Sequence, residues 1–170
     1  NQFVSVVIGT GGNVDVTDLP FTFLDALCEE IDVQKILPHI ENSIWKKHIS
    51  GKAINPLIET IQNAIAIAKK SRGKGSQARL EAGEVLMKGT KATLQQLMSL
   101  LSKTDLQYQM IADKLGLEIL QCGIDYFNEA DEADTAHKAM KLQKYAMGIV
   151  VGQMAKDRCK ENVDTLQKII

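Results

Sequence analysis

The 170-residue sequence predicts an all-α fold, about six helices in an antiparallel array or bundle, preceded by a short β-hairpin or the tail of a preceding domain. Three observations lead there. From about residue 20 onward, apolar residues recur at helical spacing. No later segment alternates as a half-buried strand would. The chain is long enough for a real core, and its 45% hydrophobic and 24% charged residues are ordinary for one soluble globular domain. Residues 1–18 therefore separate, as hairpin or tail, from a helical domain over 19–170.

The first stretch, "VSVVIGTGGNVDV", reads as two short strands around a glycine turn. "LPFTFLDALCEEI" predicts a first helix with Pro20 near its start, and "VQKILPHIENSIWKKHI" a second, interrupted or kinked at Pro38. "GKAINPLIETIQNAIAIAKKSRG" places Leu57, Ile61, Ile65 and Ala68 on one face, with Pro56 in its first turn, where proline is tolerated. Next, "KGSQARLEAGEVLMKGTKATLQQLMSLLSK" takes Ser76 as its cap and Leu94, Leu97, Met98 and Leu101 as its apolar stripe. Gly83 and Gly89 weaken this helix by about 1 kcal/mol each, which implies a close neighbour or a bend.

"DLQYQMIADKLGLEILQCGIDYFNEA" follows Thr104, the expected N-cap. One stripe runs Ile111, Leu115, Ile119, Cys122, Tyr126, and another Leu117, Leu120, Ile124, Phe127. Between them lies a narrow polar line of Lys114, Glu118, an exposed Gln121, Asp125 and Asn128. A helix apolar on two sides is sandwiched between neighbours. The acidic connector "NEADEAD" leads into one long helical pattern from Thr135 to Ile170, holding Ala139, Leu142, Ala146, Ile149 and Val150.

Composition removes several function classes. With 20 basic against 21 acidic residues and a net charge of -1, the chain lacks the basic surplus of a nucleic-acid binder. No apolar run approaches the roughly 18 residues of a membrane span, and no cleavable signal pattern is present. Cys28, Cys122 and Cys159 are odd in number and far apart, which fits a reducing cytosol. The first residue is Asn, so the sequence reads as a fragment of a longer polypeptide.

Candidate cofactor and metal motifs fail on chemistry. Gly9-x-Gly11-x-x-Val14 lacks the third glycine of a dinucleotide fingerprint, and no helix follows to hold a pyrophosphate. "KSRGKGSQAR" lacks the first glycine and the Gly-Lys-Ser order of a phosphate loop, so it reads as an inter-helix loop, with a weak anion site at Ser76 as the alternative. Glu129, Asp131, Glu132 and Asp134 beside His137 lack the central glycine and distal glutamate of a calcium loop. His39 and His48 have no metal-ligand spacing, and no serine or cysteine sits in a nucleophile elbow. The expectation is no cofactor, no metal, no catalytic residue and no enzyme activity.

A helix pair is more specific. The tetratricopeptide (TPR) template asks for W-x2-L-G-x2-Y, then A-x3-F-x2-A on a second helix. Gly123 and Tyr126 occupy the glycine and tyrosine places, with Ile119 and Cys122 ahead of them. In "KAMKLQKYAMGI", Ala139 and Ala146 take the alanine places and Gln143 the aromatic one. Gly123 and the alanines, with Gly148, make two thin helices that pack closely beside Tyr126. The linker is about one turn too long for the template, and Val151 stands where proline would end the unit.

Over "DLQYQMIADKLGLEILQCGIDYFN" and "AHKAMKLQKYAMGIVVGQMAKDRCKENVDTLQKII" the sequence resembles a family of bacterial TPR-like helical proteins, some of which carry a J domain elsewhere. The resemblance is strongest from Thr104 to Ile170. It implies a helical scaffold attached to a chaperone-recruiting module that works with Hsp70. The His-Pro-Asp signature of a J domain is absent, so no co-chaperone residue carries over. The leading expectation is a cytoplasmic, non-enzymatic module that binds a protein or peptide, without nucleic acid or membrane. A self-associating helical bundle and an enzyme with an unrecognised pocket are the alternatives.

Overall fold

Helical spacing of apolar residues becomes helix along the described chain. The computed structural model describes residues 19–31, 33–36, 39, 42–131 and 134–170. Its helices are α1 (Leu19–Glu30), a single turn α2 (Val33–Ile36), α3 (Ser43–Lys69), α4 (Ser76–Leu100), α5 (Leu106–Glu129), α6 (Thr135–Ile149) and α7 (Gln153–Gln167). No strand occurs among the described residues, and no helix there is long and apolar enough to cross a membrane. The expected hairpin and its glycines Gly9, Gly11 and Gly12 lie outside the described residues, as does Pro38.

By contact density the chain divides into two compact units, Asn1–Pro56 and Leu57–Ile170. That division falls inside α3, whereas the sequence pattern placed one at residues 18/19. The helix begins earlier than expected because Asn42 caps it, its Oδ1 accepting from the backbone N–H of Ile44 at 3.0 Å and of Trp45 at 3.2 Å. Pro56 is consequently interior to a 27-residue helix, not in its first turn. An interior proline removes one backbone hydrogen bond and costs about 3 kcal/mol. The compact units divide at that same residue.

In the first unit, Leu24 of α1 and Ile49 and Ile54 of α3 are buried. In the second, α5 is the central helix and contacts α4, α6 and α7. Its stripe of Ile111, Leu115, Ile119, Cys122 and Tyr126 is buried throughout. Asp105, not Thr104, caps α5, its Oδ1 accepting from Gln107 N–H at 2.8 Å and Tyr108 N–H at 3.4 Å. Likewise Ser76 is the first residue of α4 and not its cap; Gly75 holds the cap position at φ 95°, a conformation glycine adopts without steric cost.

The long pattern from Thr135 to Ile170 splits into two helices. Asp113 of α5 causes the break to hold: its Oδ1 accepts from Val151 N–H at 2.7 Å and Gly152 N–H at 3.0 Å, and Gly152 N–H also reaches Oδ2 at 3.1 Å. One carboxylate thereby satisfies backbone donors at the start of α7.

Glycines set the helix separations. A Cβ on Gly83 would lie 2.7 Å from Leu142 Cδ1 and 2.8 Å from Cys122 Cβ. On Gly123 it would lie 3.2 Å from the Ala139 carbonyl oxygen and 3.2 Å from Gln143 Cγ. Further toward the start of α5, Gly116 approaches Ala146 and Val150. Ascending numbers on α6 thus meet descending numbers on α5, so the two helices run antiparallel.

Candidate functional site

The second unit carries a groove of about 470 Å³ built from four segments. The C-terminal half of α4 supplies Lys91, Leu94, Gln95 and Met98. The α4–α5 connection and first turn of α5 supply Lys103 and Tyr108. The end of α6 and its exit supply Tyr145 and residues 147–151, and α7 supplies Lys156. Leu94, Tyr108 and Val150 are buried, while Met98 and Met147 keep 44% and 39% of their surface in solvent. Methionine is flexible and polarisable, which suits a surface that adapts to what docks on it.

Gly148 lines the groove without adding a side chain to it. The sequence grouped Gly148 with the alanines of the packed face, yet it is exposed and nothing lies within 4 Å of a Cβ built there. Its place at the last turn of α6 faces the groove.

Its electrostatics are one-sided. Lys91, Lys103 and Lys156 line the groove, no carboxylate does, and among the described residues none of the three lysines is paired with an acid. Burial pushes the Tyr108 phenol up, and burial together with the neighbouring Tyr108 pushes Tyr145 up. Both therefore stay protonated at neutral pH and can donate a hydrogen bond.

A second polar cluster is built around the buried pair Arg79 and Glu118. Arg79 of α4 donates from Nε to Asp125 Oδ2 at 2.7 Å, from Nη1 to the Ala68 carbonyl and Ser71 Oγ at 3.0 Å each, and from Nη2 to Glu118 Oε1 at 3.3 Å. Arg72 reaches Glu118 Oε2 at 2.7 Å from the α3–α4 connection. The planar guanidinium fork lets one side chain tie three helices' ends together. Gln121, expected to be exposed and inert, donates to Asp125 Oδ1 at 2.7 Å and accepts from Arg158 at 2.9 Å. This network spends its donors on the protein itself, so it is a brace. Ser71, Arg72 and Arg79 of "KSRGKGSQAR" serve it, whereas Gly75 and Ser76, which suggested a phosphate loop, do not.

The first unit holds an acid–imidazole pair. His48 Nε2 donates to Asp25 Oδ1 at 2.6 Å, Lys52 Nζ lies 3.1 Å from the same oxygen, and Phe21 packs on the imidazole with ring centres 4.7 Å apart. The His48 and Lys52 hydrogen bonds hold the Asp25 carboxyl below its ordinary range. Cys28, one turn on from Asp25, has its thiol pushed up by burial and by the Asp25 charge, the opposite of what a nucleophile needs.

No protein-family model, curated protein or solved structure matches this chain.

The remaining sequence candidates fall as follows. Gly123, Tyr126, Ala139 and Ala146 are all buried, and Gly123 meets Ala139 while Gly116 meets Ala146 across α5 and α6. Gln143, at the aromatic place of the TPR template, is also buried, and its Oε1 has no hydrogen-bond partner. His137 stands 3.4 Å from Asp134 on the exposed start of α6, and no cluster of metal-ligand type occurs among the described residues. Sequence reasoning missed the groove because its lysines come from three separate segments. The only signal available was Met147, outside the stripe read for its helix; Met98, which the spacing placed in the apolar stripe of α4, is exposed instead.

Proposed function

We propose that this chain is a non-enzymatic protein-interaction module, and that a partner polypeptide docks in the groove between α4 and α6. The observation that carries this reading is the combination of exposed Met98 and Met147 over a buried floor with three exposed lysines that meet no acid among the described residues. Exposed apolar surface rimmed by polar groups is the usual mark of an interaction site, and grooves between helices accept apolar anchors of a partner.

The finer assignment is a TPR-like α5–α6 unit within a chaperone-associated protein of the cytoplasm. The antiparallel approach at Gly123 and Ala139, and α7 packing against both helices, support a TPR-like hairpin. Three free thiols support a reducing compartment. The link to Hsp70 rests on the family resemblance and would run through a domain outside this sequence; the chain alone is then expected not to stimulate an Hsp70 ATPase.

The groove reading is tested with a display library of random peptides selected on the 170-residue chain and counter-selected on Gly148→Phe. The substitution fills open space in the last turn of α6 without touching the core. Recovered peptides should bind the parent chain and lose affinity for Gly148→Phe. A selection that yields no peptide sensitive to Gly148→Phe removes the groove as the site.

A further inference from the structure

Resting on that reading, we propose that the groove's occupant is an acidic peptide segment carrying apolar anchor residues, whose carboxylates meet Lys91, Lys103 and Lys156. The argument is charge complementarity. The whole chain carries a net charge of -1, with basic and acidic residues nearly balanced, so a cluster of three lysines without a lining carboxylate is a local departure. Two exposed lysines outside the groove share one acid: Lys141 lies 3.0 Å from Glu84, and Lys88 lies 3.5 Å from the same carboxylate. Those contacts hold the Glu84 carboxyl below its ordinary range, led by the Lys141 hydrogen bond. The groove lysines have no such acid among the described residues.

The three lysines line the groove from three different segments, the α4 helix, the α4–α5 connection and α7, and do not form one stripe along a helix. That arrangement favours a ligand whose apolar side chains enter at the centre, over Leu94, Met98 and Val150, while its carboxylates spread outward. A basic peptide would bring like charges against the rim, which is strongly disfavoured. The lysines also act before contact, raising the encounter rate of an anionic segment. Protonated Tyr108 and Tyr145 add neutral donors to the same walls. A bare polyanion would engage the rim and leave the apolar floor unfilled.

The experiment uses the peptides recovered by selection on the 170-residue chain, together with Lys91→Glu/Lys156→Glu and Gly148→Phe variants whose folding is checked by circular dichroism. Groove-dependent peptides should be enriched in Asp and Glu interspersed with apolar residues. By fluorescence anisotropy they should lose about tenfold or more in affinity for Lys91→Glu/Lys156→Glu, with the loss mainly in association rate. Affinity for the parent chain should fall at about 1 M salt, where the Debye length is about 3 Å. Peptides with their acids exchanged for lysine should prefer the charge-reversed variant. Groove-dependent peptides with no acidic bias and no response to the lysine reversals would overturn this inference while leaving the groove reading intact. Absence of any Gly148-sensitive peptide would overturn both. Equal binding of polyglutamate, or binding of anionic lipid vesicles without peptide binding, would show that charge alone is recognised and would also overturn it.

Discussion

Arg79 and Glu118 face each other at 3.3 Å with 1% and 4% of their surfaces exposed, an ion pair enclosed by α4, α5 and the α3–α4 connection. Taking either charge out of water is costly, and only a dense set of partners makes it tolerable. Arg79 has four such partners and Glu118 has two arginines. The pair thus fixes how three segments of the second unit meet, and the groove is built on two of the same helices. The brace and the binding surface lie on one scaffold.

Arg79→Met should therefore destabilise the second unit by up to about 3–5 kcal/mol, the usual cost of removing one partner of a buried ion pair, with Arg72 still holding Glu118. Arg79→Met/Glu118→Met should cost clearly less than the sum of the two single changes, because the second removes the buried charge that the first leaves to Arg72 alone. Urea denaturation of the four members of the cycle measures this. Additivity within about 0.5 kcal/mol would mean that the two side chains do not act as a pair.

Gly123 and Gly89 should respond oppositely to added side chains. Leucine at 123 must displace the Ala139 carbonyl, which is helix backbone and yields little, so overpacking of about 1–3 kcal/mol is expected. Nothing lies within 4 Å of a Cβ at Gly89, so Gly89→Ala should stabilise by up to about 1 kcal/mol through helix propensity alone. Thermal melts of the two variants against the parent chain decide it, and a midpoint shift of the same sign in both would refute the close α5–α6 approach.

These residues also show what was legible beforehand. The buried stripe of α5, from Ile111 to Tyr126, follows from a period of 3.6 residues, because a helix's neighbours along one face are fixed by its own geometry. The α6–α7 break was hidden because the donors at Val151 and Gly152 are satisfied by Asp113, on another helix. Glu118 looked like one member of a polar line, since nothing in local spacing reveals that an arginine from α4 meets it. Gly83 and Gly89 read alike in sequence; one is pressed against Leu142 and Cys122 and the other stands open. The groove belongs with these cases, being assembled from side chains that only tertiary packing brings around one space.

The cysteines supply the last prediction, with the sign set by burial. Desolvation pushes the Cys122 thiol up to about 12 and raises Cys159 as well. A thiol whose folded value lies above its ordinary 9.0 contributes stability that is complete below about pH 9 and is lost as pH rises toward the folded value. Unfolding free energy should therefore decline above about pH 9, each such thiol adding up to about 1.4 kcal/mol per pH unit to the slope. Cys122→Ala, although less stable at neutral pH, should show a shallower decline. The same burial should protect the thiols chemically. At pH 8 iodoacetamide should modify the partly exposed Cys28 first, and Cys122 and Cys159 only through opening of the second unit, with all three reacting in denaturant. Mass spectrometry of the adducts over time reads both rates. Native-state modification of Cys122 as fast as that of Cys28 would mean that the α4–α5–α6 core is not closed around it.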